Sequence, residues 1–127
     1  MIKGIDIITI FSESAKKLAE FYEKKVGLKN SEVFEMGEGD DEAYMYEFKG
    51  CGFAIIDHSK VKGKNTNPER CIINFEVGNI DEEISRLKKA KVKVVQDKYH
   101  VEGYGWIATF EDLDGNYFQF VQVRASK

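Results

Sequence analysis

The stretch Cys71-Ile72-Ile73-Asn74-Phe75-Glu76-Val77-Gly78-Asn79-Ile80-Asp81-Glu82-Glu83 decides the fold, because it reads as a strand running directly into a helix. Ile73, Phe75 and Val77 alternate onto one face of the strand. Asn79 is placed to accept a free backbone N–H, and Glu82 three residues on completes a capping-box pattern. Ile80, Ile84 and Leu87 form the buried stripe of the helix. Asp81, Glu82 and Glu83 open it while Lys88, Lys89 and Lys91 close it, as the helix dipole favours. Three further strands are predicted, at Val92–Gln96, Trp106–Glu111 and Tyr117–Val123. The last two are joined by the turn Asp112-Leu113-Asp114-Gly115-Asn116.

The same grammar occurs once before. Ile5 to Phe11 is β-branched and reads as a strand. Ser14 is a suitable N-cap, and Ala15 to Lys25 reads as a helix with Leu18, Phe21 and Tyr22 on one face, ended by Gly27. Strands are predicted around Ser31–Met36, Ala43–Phe48 and Gly52–Asp57, with the acidic run Glu38-Gly39-Asp40-Asp41-Glu42 as a solvated turn. Ile7 and Ile72 are 65 positions apart, as are the caps Ser14 and Asn79, and Gly52 and Gly115 are 63 apart. Residues 58–70 are polar and hold the only proline, so they read as the linker between module one (1–57) and module two (71–127). The fold class is therefore α+β: one domain of two βαβββ modules, forming a concave sheet cup with helices on the outer faces. Ile8, Ile10, Ile73, Phe75, Val77, Phe118 and Phe120 should face the helices. Alternation sends Ile7, Thr9, Phe11, Ala54, Ile56, Ile72, Asn74, Glu76, Gln119 and Val121 to the inner face, a natural cup for a small molecule.

Composition narrows the function. A chain of 127 residues with a net charge of −3 is large enough for one core and lacks the basic balance of a general nucleic-acid binder. No apolar run approaches a membrane span and the first residues carry no signal-peptide pattern, so the expected location is cytoplasmic. Cys51 and Cys71 form no C-x-x-C pair and read as small buried residues.

Three fragments in order resemble the vicinal oxygen chelate superfamily, which includes glyoxalase I, bleomycin-resistance proteins and extradiol dioxygenases. They are Phe21-Tyr22 with Val26-Gly27-Leu28, then Ile73 to Val77 running into the Asn79 helix, then Gly103 through Gln119, where Leu113 replaces the family's usual proline. The resemblance implies that members doing chemistry bind a divalent metal at four symmetry-related inner-face positions, through His, Glu or Gln. By spacing these positions fall on Ile7, Ile56, Ile72 and Gln119, with Asp57 or His58 as a substitute for Ile56 if the strand register differs. Isoleucine offers no ligand atom, so no metal and no cofactor are expected, and the resemblance is closest to the metal-free bleomycin-resistance branch. It also implies a homodimer.

The expected ligand-binding residues are Phe11, Tyr46, Asn74, Glu76, Trp106 and Gln119, with no catalytic residue. Tyr46 and Trp106 are aromatic with polar tips and lie on strands that would edge the cup. Glu76 faces either a cationic ligand group or the open rim. His100 falls in a predicted loop, exposed or at the pocket mouth, and no Ser/His/Asp or Cys/His arrangement is recognisable. The leading function is a metal-free binder of a small molecule, sequestering an antibiotic or sensing a metabolite. The alternatives are a glyoxalase I-like lyase or isomerase, and a dimerisation module with a collapsed cup.

Overall fold

A computed structural model of the chain describes residues 1–29, 32–36 and 39–127. The β-branched N-terminal run forms strand β1 (Ile7–Ser12). Ser14 then caps helix α1 (Ala15–Phe21), its hydroxyl accepting from the Lys17 backbone N–H. The helix continues through a wider π turn, Tyr22–Val26, to Gly27. Strands β2 (Glu32–Met36), β3 (Asp41–Phe48) and β4 (Cys51–Asp57) follow. The predicted positions Ser31 and Glu38 lie outside the described residues.

After residues 58–70, which include a short 3-10 turn at Pro68–Arg70, the order repeats. Strand β5 is Ile73–Glu76 and helix α2 is Ile80–Lys89, with the Asn79 side chain accepting from the Glu82 N–H. Strands β6 (Lys93–Val101), β7 (Gly105–Glu111) and β8 (Tyr117–Val123) complete it. The first sheet has the order β1-β4-β3-β2 and the second β5-β8-β7-β6, so both modules share one topology. In each, the first and last strands are parallel and the remaining pairs antiparallel. The chain divides into two compact units, 1–63 and 64–127.

Cross-strand register identifies the faces. Ile8 pairs with Phe53 and Ile10 with Ile55, while Tyr46 and Tyr44 oppose the same two residues from β3. This is the face that α1 covers, and Tyr22 of the helix meets the Phe53 ring edge-on at 5.9 Å. Leu18, Tyr22, Tyr46 and Ile55 are buried here, and each large apolar side chain contributes about 2 kcal/mol relative to exposure. In the second unit Phe110, Phe118 and Phe120 pack against one another beneath α2, which buries Ile80, Ile84 and Leu87.

Two expectations are corrected. Strand β6 does not stop at Gln96 but runs to Val101 through two register shifts. His100 is thus a strand residue, not a loop residue. The polar run Gln96-Asp97-Lys98 resembled a loop because an edge strand exposes side chains on both faces. The cysteines are not buried: Cys51 is half-buried and Cys71, just before β5, is exposed, and both are free thiols.

Candidate functional site

The helix-free face of each sheet is the candidate site, and it is built row by row. In the first unit one row is Ile7–Gly52–Glu47, the next Thr9–Ala54–Met45–Glu32, and the next Phe11–Ile56–Ala43–Phe34. Gly52 leaves the middle of the first row without a side chain. A Cβ there would stand 3.2 Å from Ile7 Cγ1, so any larger residue would require the Ile7 side chain to shift and would narrow this depression. A cavity of about 790 Å³ lies over it, lined among others by Ile7, Gly52, Met45, Phe34, Glu32 and Glu47.

The strand register that the sequence left open is now decided. Asp57 faces α1, not the cavity: its carboxylate accepts from the Ala15 N–H at 2.7 Å and from the Glu42 N–H at 2.8 Å. It fastens the start of α1 to β3. Ile56 therefore holds the helix-free position, paired with Phe11 and Ala43. His58 follows the strand, half-buried, with its ring edge-on to Phe11 at 5.0 Å and its Nδ1 accepting from the Lys60 N–H.

The second unit presents a different surface. Asn74, Gln119, Thr109 and Gln96 form one continuous row across β5, β8, β7 and β6. The Gln119 Nε2 donates to Thr109 Oγ1 at 2.9 Å. The adjacent row is Glu76–Val121–Ile107–Tyr99. Glu76 and Asn74 are both exposed, so the Glu76 carboxylate sits at a rim and not in an apolar interior. Thr109 and Gln96 were not anticipated, because only strand pairing brings them into line with Asn74 and Gln119.

Two of the expected ligand contacts turn their side chains to the helix side of their sheets, and one of them, Tyr46, still counts among the residues lining the cavity over Gly52. Tyr46 is 2% exposed under α1, and its hydroxyl donates to Glu23 Oε2 at 2.9 Å. Trp106 pairs with His100 and Gln122 on the α2 side. The Lys98 ammonium stands 4.5 Å from the Trp106 ring centroid and the indole N–H donates to the Ser126 carbonyl. Trp106 alternates with Gly105 and Ile107, and Tyr46 with Met45 and Glu47, so neither strand shows a clean apolar/polar alternation that would tell which face the aromatic takes. Phe11, Asn74, Glu76 and Gln119 are on the helix-free faces.

Tyr44, also under α1, hydrogen-bonds Glu42. Its hydroxyl is pushed well above the usual tyrosine range, first by burial and then by the Glu42 hydrogen bond and neighbouring carboxylates. It serves the packing of α1.

At the four positions tied to metal binding, Ile7 and Ile56 lie on the helix-free face of the first unit and Gln119 on that of the second, with Ile72 immediately before β5. Three alkyl side chains and one neutral amide do not fit a divalent ion, which requires several N, O or S donors. Among the described residues, no three His, Cys, Asp or Glu side chains converge elsewhere.

Paired βαβββ units with helix-free, partly polar sheet faces define the class of protein. The sequence profile of the Glyoxalase/Bleomycin resistance protein/Dioxygenase superfamily matches residues 4–120, and the chain belongs to that superfamily. No curated protein matches the sequence. Among solved structures, a glyoxylase/bleomycin resistance protein/dioxygenase domain from Frankia sp. EAN1pec is similar at 17% identity and a TM-score of 0.73, covering 98% of this chain and 100% of that one. FosX, a fosfomycin resistance protein from Listeria monocytogenes, is similar at 21% identity and 0.70, covering 97% and 93%. TioX from Micromonospora sp. ML1 is similar at 12% identity and 0.72, covering 94% and 98%. At these identities the likeness establishes the fold. Among the described residues no helix is long and apolar enough to cross a membrane.

Proposed function

We propose that this protein binds a small organic molecule on its helix-free sheet faces without a metal, and acts by sequestering or sensing it. The observation that carries this is the presence of alkyl side chains at three of the four metal-tied positions, one of which, Ile7, lines the cavity over Gly52. Phe11 and Glu76 border the two faces, and the Asn74–Gln119–Thr109–Gln96 row supplies neutral donors and acceptors that orient a ligand without charge. Similarity to resistance proteins such as FosX supports an antibiotic or related metabolite as the ligand class. A homodimer is part of the proposal.

A native mass spectrum of freshly purified protein tests the reading in one measurement. The expected result is a dimer mass with an added organic ligand and no metal. About one metal per chain, lost on Gln119→Ala, would overturn the binder reading in favour of a glyoxalase-type lyase.

A further inference from the structure

We infer that Thr109 is a positioning residue: it holds the Gln119 amide by its nitrogen, so that the second unit offers a ligand the Gln119 oxygen and selects a neutral molecule with a lactam- or amide-type N–H. This rests on the binding reading above and names the ligand chemistry for one face. Gln119 on β8 and Thr109 on β7 are direct cross-strand partners, close enough for their side chains to meet. Gln119 Nε2 donates to Thr109 Oγ1 at 2.9 Å. Thr109 is 5% exposed, so its hydroxyl has little water to bond, and the amide beside it is the partner that satisfies it.

A planar amide has one donor end and one acceptor end, and committing the nitrogen to β7 leaves Oε1 as the end a ligand meets. Asn74, the neighbour of Gln119 in the row on the β5 side, is exposed and can donate to a ligand carbonyl lying beside the N–H. In the next row Glu76 adds a second acceptor on β5, so this face suits a donor and disfavours an anion. Val121 and Ile107 of that row are 2% and 7% exposed. Their exclusion of water strengthens a hydrogen bond made beside them. It also raises the penalty for a ligand that covers the Gln119 oxygen without bonding it.

The test uses isotope-labelled protein and three neutral probes of similar size: 2-quinolone, N-methyl-2-quinolone and quinoline. Of these, 2-quinolone alone carries an N–H. It should shift the Gln119 side-chain amide resonances and bind roughly tenfold tighter than either of the others. Thr109→Val keeps a β-branched side chain of the same shape but removes the acceptor. It should release the Gln119 amide and remove most of that preference, and Thr109→Ser should restore it. Gln119→Leu removes the oxygen itself and should equalise the three probes; unchanged amide dispersion confirms that each variant folds. Equal binding of the three probes by the wild type, or a full preference retained in Thr109→Val or Gln119→Leu, would overturn the inference while leaving the binding reading intact. No resonance shift with any probe would also overturn it, and the binding reading would fall only if the native mass spectrum showed bare protein as well.

Discussion

Asp57 shows how a single side chain joins local and tertiary structure. It accepts one hydrogen bond from the first residue of α1 and another from β3, 42 and 15 positions away in sequence. Charge-assisted bonds of this type contribute roughly 1.5–3 kcal/mol each. Asp57→Ala is expected to lower the unfolding free energy by about 3 kcal/mol, read as a lower urea midpoint at unchanged slope. Tyr44 gives a pH-dependent counterpart. Its folded-state pKa lies above the unfolded value of about 10, so the protonated hydroxyl stabilises the fold fully below pH 10. That contribution is lost as pH rises above 10 towards the folded value, because only the unfolded chain ionises readily there. Urea titrations between pH 9 and 11 should show stability falling in the wild type and a shallower fall in Tyr44→Phe.

At the scale of elements, the turn between β7 and β8 is held by one buried carboxylate. Asp112 Oδ1 accepts from the backbone N–H groups of Asp114 and Asn116, and Oδ2 from the Asn116 side chain. The sequence Asp112-Leu113-Asp114-Gly115-Asn116 announced a turn, and this network explains its tightness. At the far end of β7, Gly105 lies so close to β8 that a Cβ would sit 2.1 Å from the Gln122 carbonyl oxygen, at a φ of 139°. Gly105→Ala is therefore expected to cost more than about 3 kcal/mol and to drop Tm sharply in a thermal melt. The Asn79 cap is a milder case, and Asn79→Ala should cost about 1 kcal/mol. Trp106 belongs to this end of the molecule too. Its emission should respond to removal of residues 125–127, since Ser126 accepts its N–H.

For the whole molecule, the donor set makes a direct claim. Melting curves in nickel, zinc, manganese and cobalt should superimpose within about 1 °C on the chelated control, because a ligand binding only the native state would raise Tm. A rise of several degrees that disappears in Gln119→Ala would contradict this. The proposed dimer predicts twice the chain mass by light scattering at tens of micromolar, and a monomer there would contradict it.

The repeated βαβββ grammar, the helix caps at Ser14 and Asn79, and the faces of β1, β5 and β8 are legible from the residues alone. These follow from local rules: alternation of two, a helical stripe and a capping side chain each lie within a few residues. The directions of Tyr46, Trp106 and Asp57 depend on long-range strand pairing. Strand β3 carries apolar residues on both faces, Ala43 and Met45 on one and Tyr44 and Tyr46 on the other, so its own alternation is consistent with either orientation. Pairing with Phe53 and Ile55 of β4 breaks the tie and sends the tyrosines beneath α1. The row Asn74–Gln119–Thr109–Gln96 was equally illegible, because its members are scattered over four strands and the bulges of β6 shift the last one into line. Register between strands is set by long-range hydrogen bonding and core packing, and a one-residue slip would exchange the two faces.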